Sequence, residues 1–387
     1  MLRKALLLVM LLVIGVVGVQ AQTPTNLTFF LTYIPNIQFA PIYVALEKGY
    51  FSDAGLNVTP QSGDEPDGIN LVAANQIQFG IASGEQIIAA RAQDRPVRFV
   101  YEWYQKYPIG VLVTNESGIK RAADLKGKQI GIPGLYGASY TGVIALLSAN
   151  NLTEKDVQLQ SIGYNAPQVV CVGAVQAAVI YVNNEPLQIQ DSIDKKDCGS
   201  VTGITVFPVS SAADMVSNGI ITNEDTIANH PDLVKAFVAA FDHGVRDTIK
   251  NPAEAYLLSA KYIDGLPLTD DLKAALQTAA SSQSDALKTM TTRDAITKAR
   301  AAQFDGLKAK FDETTLLQMQ VLMTTIDLWD ADQPGYNDAA AWQTTEDILM
   351  KMGQITKSID LSAAYTNDFL PQAAAAVTAT PEATAAS

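Results

Sequence analysis

A short unit of alternating structure near the start of the chain constrains its fold most. Residues 27–34 form a β-rich apolar run that ends at Pro35, a helix-period segment occupies 40–53, and a second apolar run begins at Leu56. Strand, loop, helix and strand in this order predict an open α/β sheet, in which ligands bind beyond the carboxyl ends of the strands. The polar and aromatic loop 35–39 is therefore predicted to lie at a ligand site.

The same alternation continues and predicts two lobes. From 226 to 361 the pattern becomes nearly all helical. We predict a two-lobed α/β fold in which each lobe is a mainly parallel sheet flanked by helices, with a helical C-terminal extension. Two crossings between the lobes would form a hinge around a cleft. The predicted lobes are 27–112 plus 206–370 (lobe one) and 115–204 (lobe two). The remaining predicted strands are 56–59, 78–81, 97–104, 109–113, 129–132, 157–161, 175–181 and 204–209.

The two ends of the chain are expected to lie outside these lobes. Residues 1–21 combine a positive start, an apolar core of about thirteen residues and a small-x-small site, which predicts a cleaved secretory signal. A retained membrane anchor is the alternative. Residues 372–387 contain few large apolar side chains and are predicted to be disordered. We therefore expect secretion across the cytoplasmic membrane to a soluble, periplasmic or extracytoplasmic location.

Composition excludes some classes of partner and chemistry. The formal net charge of −13 argues against nucleic acid or an anionic membrane as the partner, because both attract basic surfaces. Cys171 and Cys198 are a possible disulfide in an oxidising compartment, with two buried thiols as the alternative. His230 and His243 lack metal-ligand spacing with either cysteine, so neither a metal site nor a cofactor is predicted.

Candidate ligand-binding residues in lobe one follow its predicted strands. Asn36 and Gln38 offer amide donors and acceptors beside Phe39, although Asn36 equally suits a helix cap. Ser83 offers a hydroxyl or, alternatively, a cap for the helix after it. Trp103 lies in an aromatic cluster and is predicted to stack on a flat ligand, with a core strand as the alternative.

Candidates in lobe two lie in two loops that follow strands. The glycine-rich turn 134–140 would expose backbone N–H groups to a polar ligand edge, or is an ordinary capped loop. Glu185 would accept hydrogen bonds from a ligand, or would complement a helix N-terminus. By contrast, paired carboxylates such as Asp64 and Glu65 are expected to be solvated surface. The predicted binding residues of this lobe are Tyr136, Ser139, Tyr140, Tyr181, Asn184 and Glu185.

Five short motifs carry a family resemblance. Residues 45–51 (ALEKGYF) with 55–58 (GLNV), then 79–83 (FGIAS), 124–131 (DLKGKQIG) and 181–186 (YVNNEP) occur in this order. The chain therefore resembles the SsuA/THI5-like (NMT1) family of substrate-binding proteins, nearest its thiamine-pyrimidine and riboflavin branch. The resemblance implies a periplasmic-binding-protein-like fold (type II) and an ABC permease with its ATPase subunit as partners. We expect a monomer that binds a small molecule.

Three functions remain open at this point. Many tyrosines near strand ends and loops without arginine favour riboflavin over a thiamine pyrimidine precursor as the ligand. The eukaryotic branch of the family contains a pyrimidine-synthesising enzyme with a histidine in its first loop and a cysteine cluster. Here Phe39 occupies the histidine position and Cys171 stands alone, so the resemblance implies binding rather than catalysis. A sensory ectodomain would need an attached membrane span and signalling domain.

Overall fold

The computed structural model describes residues 24–371, and in it the chain forms two five-stranded sheets. The predicted signal 1–21 and the predicted tail 372–387 lie outside the described residues. Each of the nine predicted strands has a counterpart, and one further strand follows them. The strands are β1 Thr25–Leu31, β2 Leu56–Ser62, β3 Phe79–Ser83, β4 Val97–Glu102, β5 Ile109–Thr114, β6 Gln129–Ile132, β7 Gln158–Ser161, β8 Ala177–Tyr181, β9 Ile204–Pro208 and β10 Asn218–Asn223.

Helices flank both sheets and make up most of the chain after β10. Several start at side-chain caps; for example, Asn251 accepts a hydrogen bond from the Glu254 N–H, and Pro252 follows it. The helices are α1 Ala40–Glu47, α2 Tyr50–Asp53, α3 Glu65–Ala73, α4 Gly84–Ala92, α5 Gly137–Ala149, α6 Ala166–Cys171, α7 Glu185–Asp194, α8 Glu224–Asn229, α9 Pro231–Lys250, α10 Pro252–Ser259, α11 Asp270–Ala286, α12 Arg293–Lys308, α13 Glu313–Trp329, α14 Ala339–Lys351 and α15 Leu361–Ala364.

The two-lobed α/β fold is confirmed, but the sheets are mixed rather than mainly parallel. Their strand orders are β2-β1-β3-β10-β4 and β7-β6-β8-β5-β9. β1 is parallel to both of its neighbours, and so is β6, whereas β10 and β5 are antiparallel to theirs. β5 and β10 each begin just after the chain has crossed between the lobes. They therefore start at the cleft, where the parallel strands end, and must run the opposite way.

The crossings between the lobes differ from the predicted ones. β5 and β9 both belong to the second sheet, so the chain crosses at 103–108 and returns at 209–217. The predicted boundary at 112–115 lies too late, and the predicted return at 206 lies too early. The sequence of β10 has asparagine at both ends and a glycine, a composition that disfavours strands, and this hid it from prediction.

The core of lobe one includes the C-terminal helices. Phe79 stacks on Phe237 of α9 with ring centroids 3.9 Å apart, and Phe29 meets the same ring edge-on. α9 approaches α1 closely because Gly244 lacks a side chain; a Cβ there would lie 2.1 Å from the Pro41 carbonyl oxygen. The C-terminal helices thus belong to lobe one.

Lobe two has a smaller core and one covalent crosslink. A disulfide joins Cys171, at the end of α6, to Cys198, in the loop after α7. Both residues belong to the apolar cluster that packs on one face of the second sheet. Within residues 24–371, the chain contains no helix with the length and apolarity that crossing a membrane requires.

Candidate functional site

A cavity lies between the lobes, where the carboxyl ends of the parallel strands from both sheets meet. It encloses about 830 Å³, including its open mouth. Lobe one lines it with Thr32, Tyr33, Gln38, Phe39, Glu65, Ile81, Trp103, Tyr104 and Asn218. Lobe two lines it with Pro133, Tyr136, Gly137, Ala138, Ser139, Tyr164, Val179, Ile180, Tyr181 and Glu185. Strand ends at an interlobe cleft are where open α/β sheets bind ligands.

The cavity brings together seven of the eleven residues that the sequence analysis proposes as ligand-binding. They come from both lobes and from loops that are far apart along the chain. Their contact with a ligand remains a prediction. The seven are Gln38, Phe39, Trp103, Tyr136, Ser139, Tyr181 and Glu185.

Two of the other four predicted residues cap or brace local structure. The Asn36 side chain accepts a hydrogen bond from the Gln38 N–H at 2.8 Å and caps a 3₁₀ turn, the alternative already considered for it. Tyr140 is not among the residues that line the cavity, and its hydroxyl donates to Glu154 at 2.8 Å. The structure therefore does not place Asn36 or Tyr140 in the wall.

The other two lie directly behind the wall. Ser83 is fully buried, and its hydroxyl donates to Glu65 at 2.5 Å. The Asn184 side-chain carbonyl, just before α7, accepts from the Gln188 side-chain amide at 2.8 Å. Both side chains support a neighbour that does line the cavity, because Asn184 precedes Glu185 and Ser83 holds Glu65.

Trp103 and Tyr104 form the floor of the cavity on the side of lobe one. Strand alternation predicts that they point to opposite faces, but β4 ends at Glu102 and both line the cavity. The N–H groups of both residues donate to the Asn218 carbonyl, at 3.1 and 2.9 Å. Trp103 stacks on Trp329 with ring centroids 5.2 Å apart and is 2% exposed, so it is part of the core as well as of the wall.

Gln38 connects three parts of the molecule beside this floor. Its side-chain carbonyl accepts from the Asn183 amide of lobe two at 2.8 Å and from the Tyr104 hydroxyl at 3.5 Å. The same Asn183 amide group donates to Thr325 of α13 at 2.7 Å. The amide of Gln38 is thus fixed in orientation, which preorganises it for recognition of a polar edge.

Glu65 is the main wall residue that sequence reasoning missed, and its expected place on solvated surface is wrong. It is 8% exposed and accepts hydrogen bonds from the N–H and the hydroxyl of Ser83. Its carboxylate reaches across the cleft to the start of α5, where the Ala138 N–H approaches it. A Cβ on Gly137 would lie 2.4 Å from Glu65 Oε2, and Gly137 has a φ of +66°, so only glycine fits there.

Burial raises the pKa of Glu65, and the hydrogen bonds from Ser83 and Ala138 only partly offset this effect. Glu85 lies nearby at the start of α4, is fully buried, and has no hydrogen-bond partner for either carboxylate oxygen among the described residues. Burial, and next the charge of Glu65, raise the pKa of Glu85 to about 8. Glu85 is therefore protonated at neutral pH.

Glu185 contributes a second carboxylate to the wall, at the start of α7. One oxygen accepts from the Tyr181 N–H at 2.9 Å, and the Asn184 amide lies 3.5 Å from the other. Burial raises the pKa of Glu185 to about 7. Burial also raises the pKa of Tyr33 across the cleft, with a further contribution from Glu185. Tyr33 therefore remains a neutral hydroxyl that can donate to a ligand or to Glu185.

Tyrosines of lobe two connect the lobes around the mouth of the cavity. The hydroxyls of Tyr136 and Tyr164 donate to Asp64 of lobe one, at 3.0 and 3.5 Å. The rings of Tyr33 and Tyr164 meet edge-on with centroids 4.6 Å apart. Deeper in the cleft, the Tyr181 hydroxyl donates to Asn218 at 3.3 Å. These contacts hold the two lobes together in a closed arrangement.

The wall suits an uncharged, flat ligand with polar edges. Aromatic rings provide faces for stacking, while amides, hydroxyls and carboxylates offer hydrogen bonds around them. Among the described residues, no lysine, arginine or histidine lines the cavity. Within residues 24–371, no cluster of three or more His, Cys, Asp or Glu side chains is placed to hold a metal ion.

Comparison with known proteins agrees with this geometry. The sequence model described as NMT1/THI5 like matches residues 36–255. The riboflavin-binding protein RibY of Chloroflexus aurantiacus is 30% identical, over 90% of this chain and 87% of that protein. A 4-amino-5-hydroxymethyl-2-methylpyrimidine phosphate synthase of Legionella pneumophila is 24% identical, over 60% of this chain and 72% of the enzyme.

Solved structures show the same fold. The alkanesulfonate-binding protein SsuA from Xanthomonas axonopodis pv. citri superimposes with a TM-score of 0.59 at 13% identity, covering 89% of this chain and 99% of that one. At this identity the likeness concerns the arrangement of the lobes and not the ligand.

Proposed function

The chain belongs to the NMT1/THI5-like family, and on that premise we propose that it is an extracytoplasmic solute-binding protein that captures riboflavin for an ABC importer. One observation carries the choice of ligand: the interlobe cavity is lined by aromatic side chains and, among the described residues, by no cation. The protein works as a monomer and delivers its ligand to a permease with an ATPase subunit. It returns the ligand chemically unchanged.

The wall matches both parts of riboflavin. A three-ring flavin offers two broad faces, which the aromatic side chains at the floor and mouth of the cavity can contact. The polyol chain carries hydroxyls that donate to carboxylates and accept from amides, and Glu65, Glu185, Gln38 and Asn218 line the same cavity. Similarity to a riboflavin-binding relative supports the same choice.

Fluorescence titration of the purified protein tests this proposal. Flavin emission is expected to be quenched on binding, with submicromolar affinity, because Trp103 and the tyrosines stacked on the ring transfer an electron to the excited flavin. A Tyr140→Phe variant is the control, since its hydroxyl bonds to Glu154 away from the cavity. Chromatography of the released ligand is expected to recover intact riboflavin. The absence of quenching at micromolar protein and ligand would reject the proposal.

A thiamine pyrimidine precursor is the second candidate ligand. The relatives at 22–24% identity that make such a pyrimidine favour it, together with the position of the Glu185 carboxylate beside the cavity. One pyrimidine ring covers less of the aromatic wall than a flavin does, which is why we rank it second. Calorimetric titration with the hydroxymethyl-aminopyrimidine distinguishes the two: tight binding of it without binding of riboflavin would transfer the proposal to this ligand.

Conversion of the ligand is the third possibility to test, given the relatives that are synthases. Phe39 lies in the cavity wall at the position where the resemblance places the enzyme's histidine. Incubation of the protein with iron and oxygen, followed by mass spectrometry of the chain and the released compounds, is expected to show neither loss of a side chain nor a pyrimidine product. Detection of either would replace the binding function with a synthetic one.

A further inference from the structure

Helix starts around the cavity are already occupied by carboxylates of the chain itself. A helix N-terminus concentrates unpaired N–H groups and positive dipole, so it is the usual place where a protein holds a phosphate or sulfonate. Here α5, a helix of thirteen residues, begins in the cavity wall at Gly137. Its N-terminal Ala138 N–H meets the Glu65 carboxylate from the opposite lobe. An anionic ligand would have to displace Glu65 at this point, because Glu65 Oε2 lies 2.4 Å from where a Cβ of residue 137 would be.

The start of α7 follows the same pattern. α7 begins with Glu185, whose carboxylate lines the cavity. Among the described residues, no lysine, arginine or histidine lines the cavity to balance these carboxylates.

From this arrangement we infer that the cavity selects the unphosphorylated vitamin and excludes its phosphate ester, with Glu65 and Glu185 as the specificity-determining residues. The inference rests on the proposed function, since it names which form of the flavin the same cavity accepts. Both carboxylates line the cavity that would hold the ligand, one from each lobe. Riboflavin would place only neutral hydroxyls beside these carboxylates. Riboflavin 5′-phosphate would place a phosphate dianion there, which must also be desolvated.

The expected discrimination is large. Above the Glu185 pKa of about 7 this carboxylate is charged, and bringing a phosphate dianion beside it in a site that excludes water costs several kilocalories per mole. This cost corresponds to affinity at least about 100-fold weaker for the ester than for riboflavin. Simple lack of space for the phosphate would also weaken the ester. Substitution of glutamate by glutamine distinguishes charge repulsion from lack of space, because glutamine has nearly the same shape as glutamate but no charge.

The experiment compares riboflavin with riboflavin 5′-phosphate by the same fluorescence titration at about pH 8, where Glu185, with a pKa of about 7, is mostly ionised. Wild type, Glu65→Gln, Glu185→Gln and the double variant are measured, with Glu154→Gln as a matched control that removes one carboxylate of lobe two outside the cavity wall. We expect each cavity variant to lower the ratio of the two dissociation constants at least about tenfold, and the control to leave it unchanged. Thermal unfolding of each variant checks that it is folded, and Glu185→Gln carries the test if loss of the Ser83 contacts unfolds Glu65→Gln.

Each outcome has one meaning. A high ratio in wild type that falls in the cavity variants supports the inference. Binding of both flavins within about threefold of each other overturns it while leaving the riboflavin function intact. A high ratio that survives both glutamine substitutions also overturns it, because exclusion would then be steric. If riboflavin itself does not bind, the proposed function fails, and the inference fails with it.

Discussion

The cavity wall contributed by lobe one is part of a large aromatic core, whereas the wall contributed by lobe two is a row of tyrosines above a smaller core. Trp103 in the first wall packs on Trp329 and Phe241, deep inside lobe one. Tyr136 and Tyr164 in the second wall are only partly buried, and their hydroxyls reach across the cleft to Asp64. Trp103 is thus held within its own lobe, whereas the hydroxyls of Tyr136 and Tyr164 find their partner only through contact between the lobes.

This difference separates two tasks within one site. A side chain fixed in a core offers a preformed surface, so the ligand loses little free energy in ordering it. Hydroxyls that bond across the cleft form those bonds only when the lobes are closed, so they couple the presence of the ligand to closure. We therefore expect lobe one to hold the ligand first and lobe two to complete the enclosure.

The largest expected effect is a difference between the two walls in how much a substitution lowers the free energy of unfolding. Trp103→Ala is expected to lower the free energy of unfolding by about 3–5 kcal/mol and to abolish riboflavin binding, because it removes a buried ring from the core. Tyr164→Ala, in the opposite wall, is expected to weaken binding but to change stability much less. Denaturant unfolding and flavin titration measure both quantities. Equal loss of stability in the two variants would remove the distinction between the walls.

The disulfide tests whether lobe two relies on a crosslink for its smaller core. Replacing Cys171 and Cys198 by serine is expected to cost about 3 kcal/mol, since the bond closes a loop with a sequence separation of 27. Denaturant unfolding measures the loss, and wild type under reducing conditions is expected to match the variant. If the double variant and wild type unfold at the same denaturant concentration, lobe two is stable without the bond.

Buried carboxyl groups on the side of lobe one give stability a pH dependence. Burial raises the pKa of Glu85 and of Glu102 to about 8 in the folded protein, from a reference value of 4.5. Between pH 5 and pH 8 the folded state therefore binds more protons than the unfolded chain, so these groups make stability fall as the pH rises. Glu85→Gln is expected to raise the free energy of unfolding at pH 8 by roughly 1–3 kcal/mol and to have little effect at pH 5.

Thermal and denaturant unfolding across this pH range measures the effect. Glu154→Gln is the control, because its carboxylate is exposed, and it should leave the pH profile unchanged. A Glu85→Gln profile parallel to that of wild type would show that Glu85 is ionised in the folded protein.

The smallest expected effect concerns the bonds across the cleft. Tyr136→Phe and Tyr164→Phe each remove one hydroxyl that donates to Asp64, and each is expected to weaken riboflavin binding by roughly 0.5–1 kcal/mol through faster release. Tyr140→Phe, which lies on the same helix start but bonds to Glu154, is expected to change nothing. Stopped-flow release measures this effect. Unchanged release in the first two variants would show that these hydroxyls do not hold the lobes closed.

The strands and helices were predicted well from the sequence because they depend mainly on neighbouring residues. Every predicted strand occurs, and the helical character after residue 226 is confirmed, since apolar periodicity and capping residues act within a few positions. β10 was not predicted because it becomes a strand by pairing with β3 and β4, which lie more than a hundred residues before it in the sequence. The antiparallel pairings were not predicted either, because they too join strands that are far apart in sequence.

The lining of the cavity was predictable where a loop follows a strand, as at Gln38, Tyr136 and Glu185, although their contact with a ligand stays a prediction. The burial of Glu65 was not predicted because it depends on Ser83 and on α5 of the other lobe, and no local sequence pattern connects these to Glu65. A signal was nevertheless present: Pro66 marks a helix start immediately after β2, and therefore at the same edge of the sheet as the other candidates. An acidic residue at that position is therefore a candidate for the cavity wall.

Strand β10 lies in the first sheet between β3 and β4, yet the ribosome makes it last of the ten strands in residues 24–371. All strands of lobe two fall within 109–208 and can assemble as soon as they emerge. Until residue 223 has been synthesised, β3 and β4 have unpaired edges that invite wrong partners. A nascent chain stopped before that point therefore contains every strand of lobe two but only four of the five strands of lobe one.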